Sequence, residues 1–165
     1  MLGYPVAIQN IGGISNLTFI PKGATLDKVI AFDTGPGNML IDAVVFELTQ
    51  HKKFYDKDGE MALKGKIHVK LLKNLLANAY FKKKPPKTTG REMFGSHFAK
   101  KIIRDSSLKK EDIIATVTAF TAHSIAQAYH HIILPLFSLK EIIVGGGGSK
   151  NKTLLSMLQK LLPSI

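Results

Sequence analysis

An α/β domain is what this sequence predicts, and three observations predict it. Three short apolar runs near the N-terminus are separated only by turns, a long middle stretch has helical spacing, and a last apolar run, "EIIV", enters four glycines and leaves as a helix. Short turns join the first three runs into an antiparallel meander, whereas helices separate them from the fourth, as a parallel crossover needs. The expected sheet is therefore mixed, with the strand at 141–144 parallel beside the first and helices on both faces.

Taken in order, residues 4–10 and 14–20 read as two strands around a hairpin turn at Gly12-Gly13. The turn "PKGATLDK" leads to a third strand over 29–33. Residues 37–50 carry Met39, Leu40, Ala43, Val44, Phe46 and Leu48 on a broad apolar helical surface. Residues 51–66 are polar, broken by Gly59 and Gly65, and read as a loop. A helix is expected over 67–79, then the irregular segment "YFKKKPPKTTGREMFG", where two prolines and Gly90 oppose regular structure. Helices follow over 92–104 and from 109 or 111 to 134, where Pro135 ends or kinks the chain. "SKNKTLLSMLQKLL" closes the series, with Leu154, Leu155, Leu158 and Leu161 inward.

Size and composition narrow the function. The 165 residues suit one domain with a core, and 45% apolar residues argue against disorder. No apolar run approaches the ~18 residues of a membrane span, and no secretory leader pattern is visible. The absence of cysteine excludes disulfides and thiolate metal sites and agrees with a cytoplasmic home. The net charge is +11, yet only Arg91 and Arg104 are arginines. Scattered lysine is the usual coat of a solvated surface, whereas base and phosphate reading favours arginine. No nucleic-acid and no membrane partner is expected.

Chemistry concentrates in three glycine turns at strand ends: Gly12-Gly13 with Ser15 and Asn16, the stretch from Thr34 to Asn38, and Gly145 to Gly148. Glycine lets a ligand approach backbone amides, and the second and third turns open helices, whose N-termini attract anions. A tight turn with a helix cap accounts for any one of them, while three in one sheet point to phosphate. Neither the dinucleotide spacing nor the Walker spacing is present, so the glycines say only that a ligand has room. Asp33 ends a strand beside this cradle. A bare carboxylate there would repel phosphate unless a divalent cation lay between them, and Mg²⁺ with a nucleoside triphosphate resolves the conflict. A cap on the next turn or helix explains Asp33 equally well. "DKDG" at 56–59 lacks the rest of a calcium loop, and His123 and His130 are too far apart in register to chelate one metal.

"NIGGISNLT", "FDTGPGNMLID", "YDKDGEMALKG", "YFKKKPPKTTGREMFG" and "VGGGGSKN" occur in this order. Together they closely resemble the second half of the anhydro-N-acetylmuramic acid kinases over nearly the whole chain, and "DTGPGN" with "PPKTTGRE" is specific to that family. The resemblance implies the actin-like superfamily, with two ribonuclease-H-like domains around a nucleotide cleft. It implies use of ATP and water to open the anhydro ring of a cell-wall sugar and phosphorylate it, giving N-acetylmuramic acid 6-phosphate for peptidoglycan recycling. By similarity, Gly12, Gly13, Ser15 and Asn16 receive ATP phosphates. Asp33, Gly35, Gly37 and Asn38 line the adjoining side near metal or phosphate, and Gly145, Gly146, Gly147, Gly148 and Asn151 form the adenosine turn. Lys87, Thr88, Thr89, Gly90, Arg91 and Glu92 reach toward the substrate, where Arg91 could pair with an anion.

The family's first domain, with its own phosphate hairpin and the Asp that activates water, has no counterpart in the sequence. A final strand and helix are missing too, so the chain is expected to be a C-terminal nucleotide-binding lobe cut at both ends. It would be inactive by itself and prone to self-association along its bare sheet edge. The alternative is a non-catalytic nucleotide-binding or regulatory domain of the same superfamily that kept the glycine turns without the chemistry.

Overall fold

A computed structural model describes residues 4–165. Strands β1 (Val6–Ile11), β2 (Ile14–Ile20) and β3 (Ile30–Pro36) form the meander, and β4 (Ile142–Gly145) pairs in parallel with β1, giving the order β3-β2-β1-β4. This is the topology that the connectivity predicts. Strand β3 runs three residues past its expected end, because Gly35 and Pro36 still pair with Ser15 and Ile14 of β2, with Thr34 as the extra residue of a β-bulge between them and Asp33. Pro36 is tolerated there since β3 lies at a sheet edge and the proline sits at the strand's last position.

Period-two burial divides the sheet. Ala7, Gln9 and Ile11 of β1 share a face with Leu17 and Phe19 of β2 and with Phe32 of β3, and all are buried. The other face carries Ile8, Asn10, Asn16, Thr18, Ala31, Asp33 and Ile143. There Ile8 is 39% and Ile143 53% exposed. Helices pack on the first face, so among the described residues the second layer expected on the opposite face is absent and that face is open.

Among the described residues seven α-helices follow the meander or flank β4: α1 (Asn38–Leu48), α2 (Glu60–Lys64), α3 (Val69–Leu76), α4 (Arg91–Phe94), α5 (Ser96–Asp105), α6 (Lys110–Ala128) and α7 (Lys152–Leu161). Helix α6 is the axis. Its first half joins Leu40, Val44, Leu72, Phe94 and Ile102 in a helical core, and its second half joins Phe19, Phe32, Leu154 and Leu158 in a core under the sheet. A helix buried on nearly every side cannot be amphipathic, and α6 is built from Ile, Val, Ala and Thr accordingly. Thr116 and Thr118 return their hydroxyls to the carbonyls of Asp112 and Ile114, which satisfies them in the core. A π-helical turn, Tyr129–Ile133, continues α6 toward Pro135.

Three expected elements change. The loop at 51–66 contains a 3-10 turn (Lys57–Gly59) and α2. The helix expected over 92–104 is two pieces, because the chain turns at Gly95, where a Cβ would collide with the Arg91 carbonyl. The last helix begins only at Lys152, after a 3-10 turn over Gly147–Lys150.

Candidate functional site

The hairpin turn is the centre of the site because the start of α1 hangs from it. Asn38 N–H donates to the Gly12 carbonyl at 2.8 Å, and the Gly37 and Met39 N–H groups donate to the Gly13 carbonyl at 3.0 and 3.1 Å. Two hairpin carbonyls thus cap the first turn of α1. That corrects one expectation: these helical amides are already satisfied by protein and are not open to an anion. A side chain on Gly37 would run into the Gly12 carbonyl oxygen, so the close approach depends on glycine here.

The third turn closes on the same point. Gly146 has φ +81° and Gly148 packs directly on Ile11, while the Asn38 side-chain amide donates to the Ile11 carbonyl at 3.3 Å and lies beside Gly147. All three turns are therefore knit around Ile11 and Asn38 at one end of the sheet. The N–H groups of Gly13, Gly146 and Gly147 have no backbone partner among the described residues, and all three glycines are exposed.

A polar row crosses the open face next to these turns. Gly145 pairs with Asn10, Asn10 with Asn16, and Asn16 with Asp33, so one residue of each strand contributes. Asp33 is held firmly: its N–H donates to the Lys87 carbonyl at 3.1 Å, its Oδ2 accepts from Thr89 N–H at 2.9 Å, and its carbonyl accepts from the Tyr80 hydroxyl at 2.6 Å. The carboxylate therefore caps no helix. It pins the "PPKTTGRE" segment along the edge of β3 and leaves Oδ1 without a protein donor among the described residues.

Several predicted residues serve the frame and not the opening. Ser15 is fully buried, accepting from Gln9 Nε2 at 2.8 Å, with the Thr34 hydroxyl 2.9 Å away. This buried network braces the hairpin, and Ser15 cannot reach a ligand from there. Gly35 is buried as well, with φ +146° and with Phe81 and Ser124 3.0 Å from where a Cβ would stand; it admits α6 to β3 and not a phosphate. Asn151 spends its side-chain oxygen on the N-cap of α7, accepting from Leu154 N–H at 2.9 Å. Lys87 is 7% exposed, and its ammonium lies over the Tyr80 and Phe32 rings, on the helix-covered side of the sheet and not with the polar row. Thr88, Arg91 and Glu92 are exposed, whereas Thr89 and Gly90 are half-buried.

Beside the turns lies a cavity of about 550 Å³ that joins Asn38, Gly147, Lys150 and Asn151 to Asp42, Phe54 and Tyr55. Phe54 and Tyr55 are exposed aromatics at its wall. Burial, with a smaller contribution from the neighbouring Asp56 charge, pushes the Asp42 carboxyl up to about 6. Sequence reasoning missed Asn10, Asp42, Phe54 and Tyr55. The signals were the position of Asn10 two residues before the glycine hairpin and the places of Asp42 and Tyr55 at the end of "FDTGPGNMLID" and the start of "YDKDGEMALKG". Among the described residues no three His, Asp or Glu side chains converge to hold a metal, and no helix is long and apolar enough to cross a membrane.

Known proteins agree with this frame. Two solved structures share the fold: the activator of the 2-hydroxyisocaproyl-CoA dehydratase from Clostridium difficile with bound ADPNP, and component A of the (R)-2-hydroxyglutaryl-CoA dehydratase of Acidaminococcus fermentans. They match with TM-scores of 0.58 and 0.54, at 13% and 16% identity, over 96% of this chain and 52% and 53% of theirs. At such identity the likeness speaks for the fold alone, the actin-like ATPase fold. Curated anhydro-N-acetylmuramic acid kinases from Caldanaerobacter subterraneus and Clostridioides difficile are 49% and 47% identical over 97% and 95% of the chain. The chain spans 41% of the length of each of these relatives, a share that does not fix which part of them it matches. The family model for anhydro-N-acetylmuramic acid kinase matches residues 4–165. The chain belongs to the anhydro-N-acetylmuramic acid kinase family.

Proposed function

We propose that this chain is the nucleotide-binding lobe of an ATP-dependent kinase acting on anhydro-N-acetylmuramic acid in the cytoplasm. The observation that carries the reading is the convergence of the three turns. Exposed amides of Gly13, Gly146 and Gly147 stand at one sheet end, next to the row Asn10, Asn16 and Asp33, with a cavity of about 550 Å³ alongside. Unpartnered amides and carboxamides suit phosphate oxygens, and a cavity walled by Phe54 and Tyr55 suits a base.

Mg²⁺ fits the residues present. It takes one or two carboxylates together with substrate phosphates and water, and Asp33 Oδ1 is such a donor. Bound there, the ion would neutralise charge on the transferred phosphoryl group. The protein's own part is to orient the phosphates and hold Asp33 fixed through Thr89 and Lys87. The exposed Thr88, Arg91 and Glu92 are assigned to the sugar side, where Arg91 can pair with an anionic group. No residue of this chain is assigned as the base that activates water, so the chain alone is expected to turn over no sugar.

Titration of ADP into the chain with and without Mg²⁺ tests the reading. Saturable binding that weakens when Mg²⁺ is withdrawn is expected. No binding up to millimolar ADP removes the nucleotide site, and turnover of the anhydro sugar by the chain alone contradicts its assigned share of the work.

A further inference from the structure

We propose that the basic pocket between the Lys82-Lys83-Lys84 run and the end of α6 is a binding site for a small oxyanion, with the Lys87 ammonium as its buried anchor. The pocket holds about 220 Å³, the size class of one small anion and too small for a nucleotide. Lys82, Lys83, Lys84 and Lys87 line it from one side, and Gln127 and His131 from the other; no acidic residue lines it.

Lys87 is the observation that points to a ligand. Its side chain is 7% exposed, yet among the described residues its ammonium makes no hydrogen bond and no ion pair. Its only partners are two ring faces, with centroids at 4.8 Å for Tyr80 and 5.6 Å for Phe32. Aromatic faces offset part of the desolvation of a cation but supply no acceptor. Burial accordingly pulls the Lys87 amine below its ordinary value, with no carboxylate to restore it. Three further lysines line the same pocket and would normally repel one another, so their clustering around the Lys87 ammonium, which reaches solvent only through the pocket, concentrates a field for anions. An anion seated on Lys87 would give the ammonium acceptors that no protein group supplies and complete a charge-assisted set.

The site is separate from the glycine turns. Lys87 lies on the Phe32 side of β3, while Asp33 faces the open side with Asn16. Because the Lys87 carbonyl accepts from Asp33 N–H, an occupant would stiffen the segment that holds Asp33.

Titrating inorganic phosphate, and separately acetate, into the protein at constant ionic strength while following the Lys87 side-chain resonances by NMR tests the proposal. A saturable Lys87 shift is expected, with phosphate or acetate as the stronger arm telling phosphoryl from carboxylate chemistry. In Lys87→Met, whose aliphatic stem keeps the packing, affinity at this pocket, read from the His131 and Gln127 resonances that line it, should fall about tenfold. If that variant fails to fold, Lys82→Gln/Lys83→Gln/Lys84→Gln serves instead, since all three are exposed; it should weaken the Lys87 shift. A Lys87 shift that the triple lysine variant leaves unchanged would place the phosphate at the glycine turns and overturn the proposal. No Lys87 shift with either anion overturns the proposal.

Discussion

Asp33 shows how one side chain is made ready for two tasks. Its backbone and Oδ2 are committed to Lys87 and Thr89, and that commitment is what leaves Oδ1 facing the polar row. An amide at this position keeps the shape and an acceptor for Thr89 but removes the charge. Asp33→Asn in the full-length enzyme should therefore lower turnover by about a hundredfold, the scale of losing one electrostatic group at a phosphoryl site. Its stability should shift by less than about 1 kcal/mol. Paired kinetics and melts check this, and an unchanged rate would leave Asp33 as a structural pin alone. Asp42 carries the pH signature. Its carboxyl is raised from 3.8 to about 6, so the folded state binds a proton that the unfolded state has already released. Between those two values the folded state holds more protons, and stability should fall as pH rises through that window, then level off above it. Denaturation midpoints across the window, for the wild type and Asp42→Asn, read it directly. The variant should lose the slope. Neither role could be fully read from sequence, since Asp33 was equally plausible as a cap and Asp42 looked like one more position on a helix face.

At the scale of elements, the segments that sequence reading missed are those whose reason lies elsewhere in the chain. Helix α2 spans five residues and its period is too short to register. It forms because buried Asp56 accepts from Met61 and Ala62 N–H at 2.8 and 2.9 Å, and because Gly59 takes φ +77° where a Cβ would collide with Asn151 and Thr153. The partner in that contact begins α7, more than ninety positions away, with Thr153 donating to the Gly59 carbonyl. By contrast, α7 was legible from its leucine spacing, and only its start was misplaced. Asn151 sets that start. Asn151→Ala should cost about 1 kcal/mol through the lost cap, lowering the melting temperature by roughly 2–4 °C for a domain of this size. A larger loss would mean that Asn151 also holds the Gly59 turn, and calorimetry of the variant separates the two sizes of effect.

Across the whole molecule, the strand order was legible because connection length alone dictates it: short turns for the meander, helices before β4. The uncovered face was not, since Ile8 and Ile143 are apolar and read as core. That face has a consequence for association. One edge of the sheet, at β3, is closed by the Asp33 N–H bond to the Lys87 carbonyl. The other, at β4, has no partner strand among the described residues, and Ile143 stands exposed beside Ile8 on the open face. An unpaired edge next to exposed apolar residues is a template for a second chain. Two features keep it weak: β4 is four residues long, and exposed Lys140 and Glu141 precede it. The chain should therefore self-associate in a concentration-dependent way without forming a tight dimer. Sedimentation velocity over a range of concentrations should show the weight-average mass rising. Ile143→Lys, a change at an exposed position, should return a monomer with the melting temperature nearly unchanged. A wild-type chain that stays monomeric throughout would mean that the short strand and its flanking charges already suffice to guard the edge.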